Sequence, residues 1–127
     1  MTHFGFTKLV VADLEASAAF YRDVFGVTEQ YRVHADIAGR EIDEILFEAT
    51  APGGSTFVLL RFVDTAAPAS GEVIIGFVTD DLDGVFARAT EAGGSVHEAI
   101  HDSPDHGVRV GFLADPEGHL IEVVQPL

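Results

Sequence analysis

The 127-residue chain carries 21 acidic and 7 basic residues, a formal charge of −14, is 47% hydrophobic and contains no cysteine. That balance repels phosphate backbones and anionic bilayers, which makes nucleic acid and membranes poor partners, and the lack of thiols excludes disulfides, thiolate nucleophiles and zinc–thiolate sites. The apolar content is too high for a disordered chain, the length suits one domain of ~100–150 residues, and no apolar run reaches the ~18–20 residues that span a bilayer. The opening stretch MTHFGFTKLVVADLE lacks the basic start, apolar middle and small-residue cleavage site of a secretory signal, so a cytoplasmic protein is expected.

In chain order, Phe6 onward reads as a strand that meets Asp13, a residue suited to capping a helix. An apolar stripe of Leu14, Ala18, Tyr21 and Phe25 then has helical spacing, and Gly26 supplies the left-handed stop. Strands are expected over 27–33, 42–48 and 56–63, with the loop VHADIAGRE between the first two. The small-residue stretch DTAAPASG, 64–71, reads as a linker.

The second half repeats the first. FTKLVVADLEAS laid over IIGFVTDDLDGV places Asp13 on Asp81, Leu14 on Leu82 and Glu15 on Asp83 without a gap. A helical stripe of Leu82, Val85, Phe86 and Ala89 follows, then Gly93-Gly94, then strands over 95–100, 108–114 and 120–125. The turns before the two final strands also correspond, APGGS against DPEGH. One domain, 1–127, is therefore built from unit one (1–63), a linker (64–71) and unit two (72–127). Each unit is strand, helix and three strands, an α+β chain of two βαβββ repeats.

This duplicated unit, with DLEASAAFYRDVFGV at Asp13–Val27 and DPEGHLIEVVQ at Asp115–Gln125, resembles the vicinal oxygen chelate superfamily. That superfamily includes glyoxalase I, bleomycin-resistance and fosfomycin-resistance proteins, methylmalonyl-CoA epimerase and extradiol dioxygenases. The resemblance implies the glyoxalase/bleomycin-resistance fold: the units form a cup-shaped half-barrel with the helices outside and the ligand within, commonly in homodimers. It implies much less about activity, since one scaffold serves isomerisation, epimerisation, ring cleavage, thiol transfer and sequestration.

Enzymes of the family hold a divalent metal through cup-facing His, Glu or Gln on the first and last strands of both units. Transferred residue by residue, these positions fall on Phe6, on Val58 (or Leu59 after a one-residue slip), on Ile74 and on Glu122. Only Glu122 can coordinate, whereas an open catalytic site uses about three protein ligands. The expectation is no metal and no other cofactor. Glu122 is left as a ligand-binding acceptor, as a catalytic general acid or base, or as a remnant that is solvated or paired with Lys8 or Arg61.

Strand alternation places Phe6, Lys8 and Val10 on the cup side of the first strand, Ile74, Gly76 and Val78 on that of unit two's first strand, and Leu120 and Val124 beside Glu122. The parity of 56–63 stays open. One register turns Val58 and Leu60 inward, the other Phe57, Leu59 and Arg61, and the cost of pressing an arginine under a helix favours the second. The expected ligand-binding set is thus Phe6, Lys8, Val58, Leu59, Arg61, Ile74, Gly76 and Glu122.

Six histidines invite a second metal hypothesis, with His97, His101, His106 and His119 falling near Asp102 and Asp105. His97 and His101 share a face only on a helix, however, and in an extended segment four residues span more than ~12 Å. They read as solvated, His119 as part of a structural turn, His34 as a residue of the cup's rim, and His3 as a residue preceding the first strand. No nucleophile elbow, P-loop or dinucleotide fingerprint is present. The favoured expectation is a small-molecule binder of bleomycin-resistance type, which sequesters an antibiotic or carries a hydrophobic or aromatic, positively charged compound. The alternative is a glyoxalase-like lyase, isomerase, epimerase or dioxygenase, either metal-free through Glu122 or with displaced metal ligands.

Overall fold

A computed structural model describes all 127 residues. The elements are β1 (Phe6–Val10), α1 (Leu14–Phe25), β2 (Glu29–Ile37), β3 (Arg40–Phe47), β4 (Thr56–Phe62), β5 (Ile74–Val78), α2 (Leu82–Glu91), β6 (Ser95–Ser103), a 3-10 turn (Pro104–His106), β7 (Val108–Ala114) and β8 (Leu120–Pro126). The chain divides into two compact units. Met1–Arg22 with Gly26–Pro68 form the first; Asp23–Phe25 with Ala69–Leu127 form the second.

The first unit is an open four-stranded sheet in the order β1-β4-β3-β2. β1 runs parallel to β4 because α1 carries the chain across, and the other pairs are antiparallel. α1 begins where sequence chemistry expects: the Asp13 carboxylate accepts from Ala16 N–H at 3.0 Å, and Gly26 at φ 69° closes the helix. One face of the sheet meets α1. Leu9, Ile45, Phe47 and Leu59 are buried there, and the Phe57 ring lies 5.0 Å from Tyr21 and 5.8 Å from Phe47, centroid to centroid.

The second unit repeats this plan as β5-β8-β7-β6, again with its first strand parallel to its last. Asp81 caps α2 through Gly84 N–H at 3.1 Å, and Leu82, Val85, Phe86 and Ala89 form its buried stripe. Phe86 fits because β7 carries Gly111 beneath it; a Cβ there would stand 2.5 Å from the Phe86 ring tip. Leu82 N–H donates to the Gln125 side chain at 2.9 Å, which ties the start of α2 to β8. Phe25 stacks on Phe77 with centroids 3.8 Å apart.

Three expectations need correction. The stretch VHADIAGRE is no rim loop: β2 and β3 pair as a hairpin closed by Ala38-Gly39, so His34 is a strand residue opposite Asp43. β6 extends to Ser103 and takes in His101 and Asp102, because irregularities between Val96 and His101 let the strand resume pairing with β7. The glycine pair closes α2 as expected: Gly93 follows the cap residue Ala92 at φ 94°, and Gly94 N–H donates to Ala89 O at 2.8 Å. The third concerns β4, where Phe57, Leu59 and Arg61 occupy the α1 face, while Val58 and Leu60 lie opposite with Lys8 and Glu44. Arg61 tolerates the helix side because it lines an open cleft beside the first turn of α1, stays 37% exposed and meets Asp43 at 3.0 Å.

Candidate functional site

In the second unit, the sheet face turned away from α2 carries Ile74, Gly76 and Val78 of β5, Leu120, Glu122 and Val124 of β8, and Val110 and Phe112 of β7. This follows from period-two alternation, since Ile121 and Val123 are buried on the helix side. Ile74 and Val78 are 60% and 73% exposed. Glu122 lies between Gly76 on one side and Phe112 on the other. Its carboxylate makes no side-chain hydrogen bond or ion pair, and a Cβ added at Gly76 would meet nothing within 4 Å. Glu122 is thus a half-buried acceptor with open space beside it.

The corresponding face of the first unit carries Phe6, Lys8, Val58, Leu60, Ile42 and Glu44. Lys8 lies 5.6 Å from the Phe6 ring centroid and donates to Glu44 at 2.9 Å. Glu44 is buried, so this pairing is what makes its charge tolerable away from water. Lys8 and Arg61 therefore answer Glu44 and Asp43, not Glu122. Of the expected ligand-binding residues, Phe6, Lys8 and Val58 share this face, and Ile74, Gly76 and Glu122 share the open face of the second sheet. Leu59 and Arg61 belong to the α1 side.

The α1 side also holds a cleft of about 630 Å³, lined by the first turn of α1 with Arg32, His34, Asp43 and Arg61. No motif in the sequence marks it, since its charges come from separate strands. They are matched within it. Asp43 takes His34 Nδ1 at 2.6 Å on one oxygen and Arg61 at 3.0 Å on the other, and Arg32 bridges Glu15 and Glu29. The Asp43 hydrogen bond raises the His34 pKa above the ordinary imidazole value, with added pull from the Asp43, Glu41 and Asp36 charges. Reciprocally, His34 and then Arg61 lower the pKa of Asp43, and Arg32 lowers that of Glu15. The cleft is a ladder of ion pairs across β2, β3 and β4.

The histidines of the second half do not converge, and His119 is structural as expected. His101 reaches Ala99 O at 3.1 Å, His106 bonds Ser103 at 3.0 Å, and His119 is buried against Asp115 at 2.9 Å. No group of three or more His, Asp or Glu side chains converges as a metal cage. At the four positions where the fold family places ligands stand Phe6, Val58, Ile74 and Glu122, one donor in all. This donor set does not fit a catalytic divalent metal, which needs about three.

The geometry, two βαβββ units each a four-stranded sheet with a helix on one face, defines a glyoxalase-type fold. The chain belongs to the Glyoxalase/Bleomycin resistance protein/Dioxygenase superfamily, whose model matches residues 2–123. It is 28% identical over 123 residues to the uncharacterized protein YwbC of Bacillus subtilis, covering 94% of each chain. Among solved structures, a glyoxalase family protein from Bacillus cereus superposes with a TM-score of 0.84 at 18% identity, covering 100% of this chain and 95% of that one. TioX from Micromonospora sp. ML1 gives 0.68 at 25% identity, covering 99% and 100%. No helix is long and apolar enough to cross a membrane.

Proposed function

We propose that this chain is a metal-independent small-molecule-binding member of the superfamily, of bleomycin-resistance type, that sequesters or carries a compound with a hydrophobic or aromatic body. One observation carries this reading. Three of the four chelating positions hold Phe6, Val58 and Ile74, while the fourth, Glu122, stands without a partner on an apolar sheet face with free space at Gly76. Such a surface, mostly apolar with a few polar handles, has the chemistry of an organic-ligand site. The exposed Phe4, Phe6, Ile74 and Val78 support working as a homodimer, in which a second copy covers apolar area.

The test is a thermal-shift screen of aromatic metabolites and antibiotics on protein freed of metal by chelation. A true ligand at about 100 times its Kd raises stability by about 2.7 kcal/mol. Binding that survives chelation is expected; a ligand that binds only after nickel, zinc, manganese or iron is restored overturns the proposal.

The unpartnered state of Glu122 also supports a second reading, an acid–base enzyme of glyoxalase type. Glu122→Gln separates the two. Loss of turnover with binding retained supports catalysis, and loss of binding with no turnover by the parent protein supports sequestration.

A further inference from the structure

We infer that the compound held on the open face of the second sheet is an organic cation, a protonated amine on an apolar or aromatic body, and that Glu98 is its second carboxylate acceptor. This rests on the small-molecule-binding reading above and names the class of ligand.

Cross-strand register lines up Glu98 of β6, Phe112 of β7, Glu122 of β8 and Gly76 of β5 in a single row. Neighbouring strands lie ~4.8 Å apart, so the Phe112 ring stands with a carboxylate-bearing strand on each side. The flanking rows add apolar body, Val110, Val124 and Val78 on one side and Ala114, Leu120 and Ile74 on the other. Among all the residues of this face there is no lysine and no arginine. The nearest base is His101, whose Nδ1 lies 3.9 Å from Glu98 at the exposed edge strand.

The first unit supplies the contrast. Its corresponding face also carries a carboxylate, the buried Glu44, but Lys8 neutralises it at 2.9 Å. The second unit repeats the scaffold without the lysine and leaves Glu122 unmatched. An aromatic face attracts a cation through its quadrupole, and two carboxylates beside it fix where the charge sits. A carboxylate or phosphate ligand would meet repulsion from both, and the net charge of −14 adds long-range attraction for cations. The open space at Gly76 admits the ligand's body beside Glu122.

Three naphthalene probes of one shape test this by calorimetric titration into the full chain: naphthylmethylamine, naphthalenemethanol and naphthoic acid. The amine is expected to bind about tenfold more tightly than the alcohol, and the acid not measurably. Glu98→Gln and Glu122→Gln should each weaken the amine about five- to tenfold, weaken the alcohol by less than the amine, and lower the salt dependence of amine binding. Unchanged melting temperatures show that the variants are folded. Equal affinity for amine and alcohol, or an amine insensitive to both substitutions, overturns the cation assignment and leaves the binding reading standing. Absence of binding by all three probes overturns both.

Discussion

Gly76 and Glu122 are directly paired across the parallel β5–β8 ladder, which leaves bare backbone on one side of the carboxylate and the Phe112 ring on the other. Gly76→Val puts a branched side chain into that space. Nothing lies within 4 Å of the new Cβ and the position is in a strand, so stability should hold or rise by up to ~1 kcal/mol. Ligand affinity should fall by about tenfold or more as the space closes. Thermal melts and titrations on the same variant check both halves, and retained affinity would place the ligand elsewhere.

The DPEGH turn ahead of β8 is held by one carboxylate. Asp115 Oδ1 accepts from Glu117 N–H at 3.0 Å and His119 N–H at 2.9 Å, and His119 Nδ1 lies 2.9 Å from Oδ2. Both side chains are buried. Asp115→Ala leaves these groups unanswered in the interior and should cost about 2–4 kcal/mol in chemical denaturation. Asp115→Asn, which keeps an acceptor oxygen, should cost less.

His34 and Asp43 titrate as a linked pair. His34's raised pKa means that its contribution is complete below the unfolded imidazole value and lost as pH rises through the folded value. Asp43's lowered pKa means that its contribution is complete above the unfolded carboxyl value and lost as pH falls through the folded one. The pair therefore operates in the window between those two folded values. An NMR titration should show His34 above the ordinary imidazole value of 6.5 and returning toward it in Asp43→Asn. An unmoved His34 in that variant would contradict the ladder.

The β2–β3 hairpin turns through Ala38 at φ 52° and Gly39 at φ 80°. Two positive φ angles suit a type I′ turn, in which asparagine is favoured at the first central position and alanine is strained. Ala38→Asn should raise stability by about 0.5–1 kcal/mol, read as a higher denaturation midpoint at unchanged slope.

The duplication was legible from end to end because each half carries the same local signals. Asp13 and Asp81 cap helices, Gly26 ends one, and the stripes at Leu82, Val85, Phe86 and Ala89 are buried as their spacing requires. Glu122's face was equally legible, since Ile121 and Val123 flank it and alternate cleanly. β4 was not: Phe57, Val58, Leu59 and Leu60 are apolar on both faces, so alternation carries no sign of which side meets α1. The hairpin was hidden by an Ala-Gly turn in place of the usual Asn-Gly.

Local chemistry along the chain, caps, spacing and turn residues, was enough to determine two βαβββ repeats, an acidic chain and a carboxylate in the middle of an apolar last strand. Only tertiary structure decided who answers whom: Lys8 takes Glu44, Arg61 takes Asp43 on the helix side, and Glu98 comes level with Glu122 across Phe112. The reason is that cross-strand neighbours are set by register between segments far apart in sequence, and register is fixed by packing of the whole sheet, which no single strand encodes.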